Sequence, residues 1–534
     1  MLQIDLAGLA RRARDVREES AMLARLSRNL PGQLRRPLSF AGARAAMLAG
    51  ISSRERQIVT LVERSVYRHP SSPYRALLRH AGCVPGDFRH LVAQDGVEGA
   101  LKELAGRGVY LTFDELKGRT EVRRGTLRLT IEPGALDNPL SSPIISQYTS
   151  GSGGRPGRVR HSLASLRGRA VSLAMTLAAH GVDRPELVFW WPSPTTHMII
   201  DGVLGYPSVG WFYPVHPLPL PARIIGRHLA VLGRIGGYRF PPPRYCDLAT
   251  PERMVSWIAR RLDAGRSLVF WTMASSAARV SVEATERGLD LRRLTFVLAG
   301  EPVTEARRRL LEASGARVIV QYSSVETAGL SYGCATPSAA DDVHLSTERY
   351  AVVQQQRAVS LDGPQVEALL FTTLSPSSPA IMLNAETGDY ARVEERSCGC
   401  LLGGLGLRTH ISEIRSFEKL TGEGVTLARS SLLRILEDVL PARFGGTSLD
   451  YQLAEEEAPG GTTRVVLRVS PAVGAIDHAT LRATLLDKLG RGSTVDRYQA
   501  DVWRNASTVE IRREPPLATR AGKVLPFHLV KPRT

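Results

Sequence analysis

The sequence predicts an α/β fold: a large unit built on parallel strands with crossover helices, followed by a small α+β unit. Three observations predict it. Between about residues 110 and 415, short apolar runs (ELVFWWPS, YPSVGWFYPV, SLVFWTM, LTFVLAG, ARVIVQY) alternate with helical segments such as EARRRLLEASG, the signature of a parallel sheet with crossover helices. Beyond about residue 415 the order changes. SSLLRILEDVLP reads as a helix, DYQLAEE and TRVVLRVS as strands, HATLRATLLDKLG as a helix and YQADVWR as a closing strand. The length of 534 residues exceeds one ordinary domain and predicts two or three units.

The elements follow in order. Residues 1–110 form a helical prefix, because LAGLARRARDVREESAMLARLSRNL and SSRERQIVTLVERSVYR place apolar residues at three- and four-residue intervals. Pro70 and Pro73 punctuate it before YRALLRHAG. From Tyr110 short strands and turns take over, and HSLASLRGRAVSLAMTLAAHG is a helix ending at Gly181. The N-terminus mixes acids with arginines and lacks the apolar stretch and small-residue cleavage site of a signal peptide. The most apolar runs of the chain, such as ELVFWW and HMIIDGVLGY, fall short of spanning length, so no membrane span and a cytoplasmic location are expected.

Hydrophobic residues make up 43% and charged residues 23%, the balance of a globular protein with a full core. The formal net charge is +17 and the pI about 10.1. The arginines are scattered, and no zinc finger, RNA-binding strand motif or basic zipper accompanies them, so no nucleic-acid partner is expected. Only six of the 69 basic residues are lysine: Lys102, Lys117, Lys419, Lys488, Lys523 and Lys531. Where nearly every cation is Arg, a retained Lys points to a need for a compact ammonium.

QYTSGSGGRPG, Gln147 to Gly157, packs glycines among hydroxyls and adds an arginine. Such a loop can turn successive N–H groups toward one anion, and equally can be a solvated turn; it lacks the Walker order. Three strand ends carry notable residues: Gly300, Glu301 and Pro302; Tyr322 to Glu326; and Gly388 with Asp389. Open parallel sheets bind ligands beyond their carboxyl ends, so with the glycine loop these can surround one nucleotide-sized site. Five cysteines in so long a chain make no disulfide framework. Cys83 and Cys246 read as isolated buried thiols. Cys334, Cys398 and Cys400 with His344 offer a tetrahedral zinc ligand set, or else reduced core thiols and a surface histidine.

Order and spacing of these motifs make the chain resemble the adenylate-forming superfamily of acyl-CoA synthetases and adenylation domains, most of all its phenylacetate–CoA ligase branch. YTSGSGGRP is similar to the family's T-S-G-T-T-G-K-P loop, with Arg155 in the lysine position. GEP, QYSSVET and TGD follow in family order, RSFEKLTGEGVTL is similar to its hinge motif, and AGKVLP to its terminal G-K motif. The resemblance runs from about Tyr110 to Lys531 and implies a large nucleotide- and acid-binding domain over 111–414. It implies a hinge at 415–419 and a small, mobile C-terminal domain over 420–534.

The resemblance also implies the chemistry: attack of a carboxylate on the α-phosphate of ATP, an acyl-adenylate, then transfer to a thiol. Thr149, Ser150, Gly151, Ser152, Gly153 and Gly154 are expected to hold the β- and γ-phosphates, and Gly300, Glu301 and Pro302 to border adenine with Tyr322 packed on it. Glu326 is expected to hold Mg²⁺, Asp389 the ribose hydroxyls with Arg415 assisting, and Lys523 to reach between the substrate carboxylate and the α-phosphate. Some phenylacetate–CoA ligase-like proteins bind zinc through Cys and His, and Cys334, His344, Cys398 and Cys400 fall in matching regions; a closed Cys₃His site is structural.

The chain departs from the family pattern elsewhere too, as Ser323 replaces a glycine of Y-G-x-T-E. Val325 replaces a threonine, Ile414 a glycine, and Phe417-Glu418 the usual acidic pair of the hinge. The expected substrates are an organic acid and ATP, with coenzyme A the first-choice acceptor. A carrier-protein phosphopantetheine or an amine is the alternative, as is a nucleotide-binding homologue with reduced catalysis.

Overall fold

The computed structural model describes residues 6–148, 158–191, 193–214, 218, 220–247, 250–323, 327, 329–358, 365–416, 421–422, 425–426, 430–457, 463–492, 496–497, 500, 503–504, 509–518, 524 and 526–530. Among these, six strands form one sheet in the order Arg317–Val320, Leu294–Leu298, Leu268–Thr272, Glu186–Trp190, Ser208–Tyr213 and Pro243–Tyr245. Every pairing in it is parallel. LVFWT and LTFVL are buried at every position, as strands covered on both faces must be.

The period-two alternation of side chains divides these strands between two cores. Phe189, Trp211, Val269, Trp271 and Val297 enter one, while Val188, Trp190, Phe212, Phe270 and Phe296 enter the other. Helices Leu163–Ala179, Thr195–Leu204 and Leu220–Gly236 cover the first face. Helices Pro251–Asp263, Ala274–Glu286 and Glu305–Ala313 cover the second.

A second six-stranded sheet, antiparallel throughout, runs Ser331–Gly333, Val343–Leu345, Thr409–Ser416, Ala385–Glu395, Gln365–Thr373 and Tyr350–Ala358. The sequence reading held no expectation of this sheet. The helical prefix takes part in both sheets' cores. Leu26, Leu30 and Leu34 of helix Leu6–Leu34 join the first core. Helices Arg54–Val62 and Pro85–Gly106 bury Ile58, Leu101 and Leu104 against Ala351, Val353 and Leu370 of the antiparallel sheet.

The C-terminal unit has its own core. Its sheet runs Val509–Arg512, Thr463–Val469, Tyr451–Glu457 and Phe527–Val530, with helix His478–Gly490 packed on it. The expected strand YQADVWR is not one: Ala500, Trp503 and Arg504 are helical, and Ala500 and Trp503 are both buried in this core. The strand lies further on, at Val509–Arg512. SSLLRILEDVLP is helical but carries a π-turn at Ile435–Val439, where Leu440 N–H bonds to Ile435. Pro441 follows immediately, and lacking an N–H it cannot continue the regular ladder. No described helix is long and apolar enough to cross a membrane.

Candidate active site and metal centre

The strand ends place the expected nucleotide residues unequally. Gly300 follows strand Leu294–Leu298 with φ +80°, a conformation glycine adopts at no steric cost. Next to it the Glu301 carboxylate turns inward, accepting from the Ser275 N–H (2.7 Å) and hydroxyl (2.8 Å). It thus satisfies the N-terminus of helix Ala274–Glu286, where the helix dipole favours an anion. Arg307, itself buried, lies 3.9 Å from Glu301 and donates to the Pro302 carbonyl at 3.0 Å. On its other side Arg307 is 3.6 Å from the buried Glu437 of the C-terminal unit. The GEP turn is therefore fixed from below, and the Glu301 side chain is committed to the protein.

Tyr322 and Asp389, distant in sequence, meet. The Tyr322 hydroxyl donates to Asp389 Oδ2 at 2.9 Å, and its ring packs beside Phe371 at 6.0 Å. Ser331 fixes the Tyr322 backbone from both sides, accepting from its N–H and donating to its carbonyl. Burial, then the Asp389 charge, pushes the Tyr322 phenol well above its ordinary value, so it remains a donor. Gly388, at φ +82°, and Asp389 lie inside strand Ala385–Glu395 rather than at the expected strand end.

Arg415 pairs in register with Tyr390 and reaches Asp341 at 3.1 Å. The Asp341 carboxylate also accepts the N–H groups of Glu413 (2.7 Å) and Ile414 (2.8 Å). Burial raises Asp341 despite Arg415 and both amides. Asp341 is a residue that sequence reasoning missed; its only signal was the tandem acid pair just before His344. Thr149 to Gly154, Glu326, Lys523 and residues 417–419 of the expected hinge at 415–419 lie outside the described residues. The base of the phosphate-loop hairpin is described, with Pro143–Tyr148 antiparallel to Arg158–Ser162.

The four sulfur and imidazole groups gather at one end of the antiparallel sheet. One donor atom from each of Cys334, His344, Cys398 and Cys400 lies within 4.8 Å of the others. Cys398 and Cys400 Sγ are 3.3 Å apart, and His344 Nε2 is 3.7 and 3.2 Å from them. Two thiolates on a tetrahedral zinc, at Zn–S of about 2.3 Å, stand roughly 3.8 Å apart, so the set fits that ion with small adjustments.

Neighbouring groups orient the donors. His344 Nδ1 donates to the Leu407 carbonyl at 2.7 Å, which fixes the tautomer and leaves the Nε2 lone pair facing the thiols. The Gly403 N–H points at Cys400 Sγ, 3.5 Å away. Hydrogen bonding from Cys334 holds the Cys400 thiol far below its ordinary value and raises Cys334 in exchange. Beside the cluster, the His410 ring lies tilted against His344 at 4.1 Å and bonds Asp342 at 2.7 Å, while Arg396 also contacts Asp342.

Over 89% of its length, the chain is similar to a 2-hydroxyisobutyryl-CoA ligase in the postadenylation state in complex with R3-HIB-AMP. Coverage of that chain is 88%, with 16% identity and a TM-score of 0.54. The same ligase in complex with 2-HIB-AMP gives 16% identity, the same coverage and a TM-score of 0.52. The likeness is one of fold: a large α/β unit with a smaller, β-rich C-terminal unit. No protein-family model matches the sequence, and no curated protein matches it.

Proposed function

We propose that the protein is an adenylate-forming acid–thiol ligase of the phenylacetate–CoA ligase type. It activates a carboxylic acid with ATP through an acyl-adenylate and passes the acyl group to coenzyme A. The observation that carries this reading is the contact of Tyr322, just past strand Arg317–Val320, with Asp389 inside strand Ala385–Glu395, on a fold shared with a CoA ligase. The two residues that the sequence resemblance gives to adenine and ribose thereby sit side by side.

The chain's own groups have definable tasks. Asp389 accepts from the ribose hydroxyls, and Tyr322 holds the carboxylate in place for them. Arg415 is kept rigid by Asp341. Thr149 to Gly154 cradle the phosphates with backbone N–H groups. Glu326 would hold magnesium, which supplies charge neutralisation at the phosphates. Lys523 places one ammonium where negative charge builds as the carboxylate attacks. Cys334, His344, Cys398 and Cys400 would hold a structural zinc that ties the segment after Ala385–Glu395 to the strands beside it.

The test is acid-dependent exchange of pyrophosphate into ATP, run across aryl, fatty and amino acids, then thioester formation with coenzyme A. Exchange with an acid followed by thioester release establishes the ligase. Exchange with transfer only to a phosphopantetheine carrier or an amine changes the acceptor. Nucleotide binding without exchange would give a homologue of reduced catalysis, the reading that Val325 in the threonine position favours.

A further inference from the structure

Several buried or half-buried arginines of the chain stand against acids, and Arg169 does not. Arg307 lies between Glu301 and Glu437. Arg124 holds Glu115 through both oxygens, at 2.8 and 3.0 Å. Arg169, on helix Leu163–Ala179, is only 8% exposed. Its hydrogen-bond partner is a histidine, His197 Nε2 at 2.9 Å, and among the described residues no carboxylate pairs with it. Burial and the nearby charge of Arg349 push its guanidinium down to about 10, opposed only by the Tyr350 phenol. Buried charges normally stand opposite a counter-charge.

The surroundings of Arg169 offer donors and few acceptors. His161 is fully buried and neither ring nitrogen has a partner; burial, Arg169 and Arg349 keep it neutral. His197 Nδ1 and the Trp271 indole N–H are also buried without partners. The His197 ring sits 4.8 Å from Trp271, 6.0 Å from Phe189 and 6.5 Å from Trp191, an apolar and aromatic wall. Gly329 lies against the guanidiniums with φ +97°, and a Cβ there would be 3.5 Å from Arg169 Cγ and 3.7 Å from Arg349 Nη1. Glu348, the acid beside Arg349, accepts from the Tyr332 hydroxyl at 2.5 Å through Oε1, while its buried Oε2 has no hydrogen-bond partner.

These groups stand at the carboxyl ends of strands Glu186–Trp190 and Leu268–Thr272. His161 closes the hairpin that carries the phosphate loop, and Gly329 follows the Tyr322 segment. We propose that the acid accepted here carries a second carboxylate, which docks on Arg169 between His161 and His197 while the first is activated. The ligand class is a dicarboxylic acid with an apolar or aromatic spacer. This inference rests on the acid-activating reading above; the buried anion site it names can be tested separately.

The experiment compares matched acids in ATP–pyrophosphate exchange: benzoate against phthalate, isophthalate and terephthalate, and butyrate against succinate and glutarate. At least one diacid should exceed its monoacid in kcat/KM. Arg169→Met should collapse that ratio roughly tenfold or more, the scale of a lost charge-assisted contact, chiefly through KM. Arg169→Lys should restore part of it. Because an unopposed buried charge is removed, the Tm of Arg169→Met should hold or rise; a large fall would make Arg169 structural and overturn the proposal.

Calorimetry of the diacids without ATP, on wild type and Arg169→Met, reads the anion site independently. Arg169-dependent diacid binding with no exchange for any acid retains the site and removes the ligase reading. Exchange that prefers monoacids and ignores Arg169→Met removes the second-carboxylate site alone. Loss of ATP affinity in Arg169→Met, with diacid binding intact, would assign the guanidinium to a phosphate and overturn the proposal.

Discussion

Asp201 carries a carboxyl group into the first core, where it is fully buried and burial pushes it well above the ordinary carboxylate value. The sign of its linkage follows. In the unfolded chain this group ionises near pH 4, whereas the fold keeps it protonated to higher pH. From about pH 4 upward, therefore, unfolding releases a proton that the fold retains, and stability falls as pH rises. Asp201→Asn removes that loss, so its advantage over wild type in thermal denaturation should be absent at pH 4 and grow toward pH 8. A constant difference across this range would refute it. At the proposed active site, Lys523→Ala should cut acid-dependent exchange by roughly 10²–10³-fold, as loss of an oxyanion-type donor does, with nucleotide affinity kept. Near-wild-type exchange would make it an ordinary tail lysine. At this scale the sequence was informative where one residue type does one job: the cysteines with His344, and Tyr322 with Asp389. It was silent on Arg169, because an arginine in an arginine-rich chain carries no mark until its burial and missing acid are seen.

Elements were legible where periodicity was strong. Runs such as LVFWT announce strands buried on both faces, and the prefix helices show their stripe. The antiparallel strands were hidden because AETGDYARVEE sets polar residues at buried and half-buried positions, without a regular alternation, and so reads as polar loop. YQADVWR failed for a related reason: a short alternating run fits a strand, but the spacing of Ala500 and Trp503 serves one helical turn on the core. Two predictions belong here. Glycines let helix Leu6–Leu34 approach its neighbours closely: a Cβ on Gly202 would sit 2.4 Å from Leu34 Cδ2, and one on Gly236 2.8 Å from Leu34 Cβ. Gly202→Val should therefore cost about 1–3 kcal/mol through overpacking, read by denaturant unfolding, and Leu34→Ala in the same chain, which removes Cδ2, should recover part of it. In the metal cluster, purified protein should contain about one zinc per chain, since structural sites couple metal to folding free energy. Cys398→Ser with Cys400→Ser should lose the zinc and lower Tm, and zinc-free wild type would dismiss the site.

Across the whole molecule, Arg307 is the described group that joins the strand-end turn to the C-terminal unit through buried charge, with Arg309 and Asp438 3.6 Å apart nearby. Glu437→Gln leaves Arg307 with Glu301 alone and should favour separation of the two units, read as faster proteolysis between residues 417 and 429. Unchanged cleavage would leave the pair no part in holding the units together. The contact also links the two parts of the molecule through water. Within it, a guanidinium and two carboxylates share a dry space, with Arg307 only 1% exposed. Moving the small unit away uncovers these charges, and water must enter to solvate them before the gap can stay open. Opening is thus a hydration equilibrium as much as a mechanical one. Osmolytes such as sucrose, excluded from protein surface, oppose newly exposed area; they should hold the two units together and protect the linker, and that protection should weaken in Glu437→Gln.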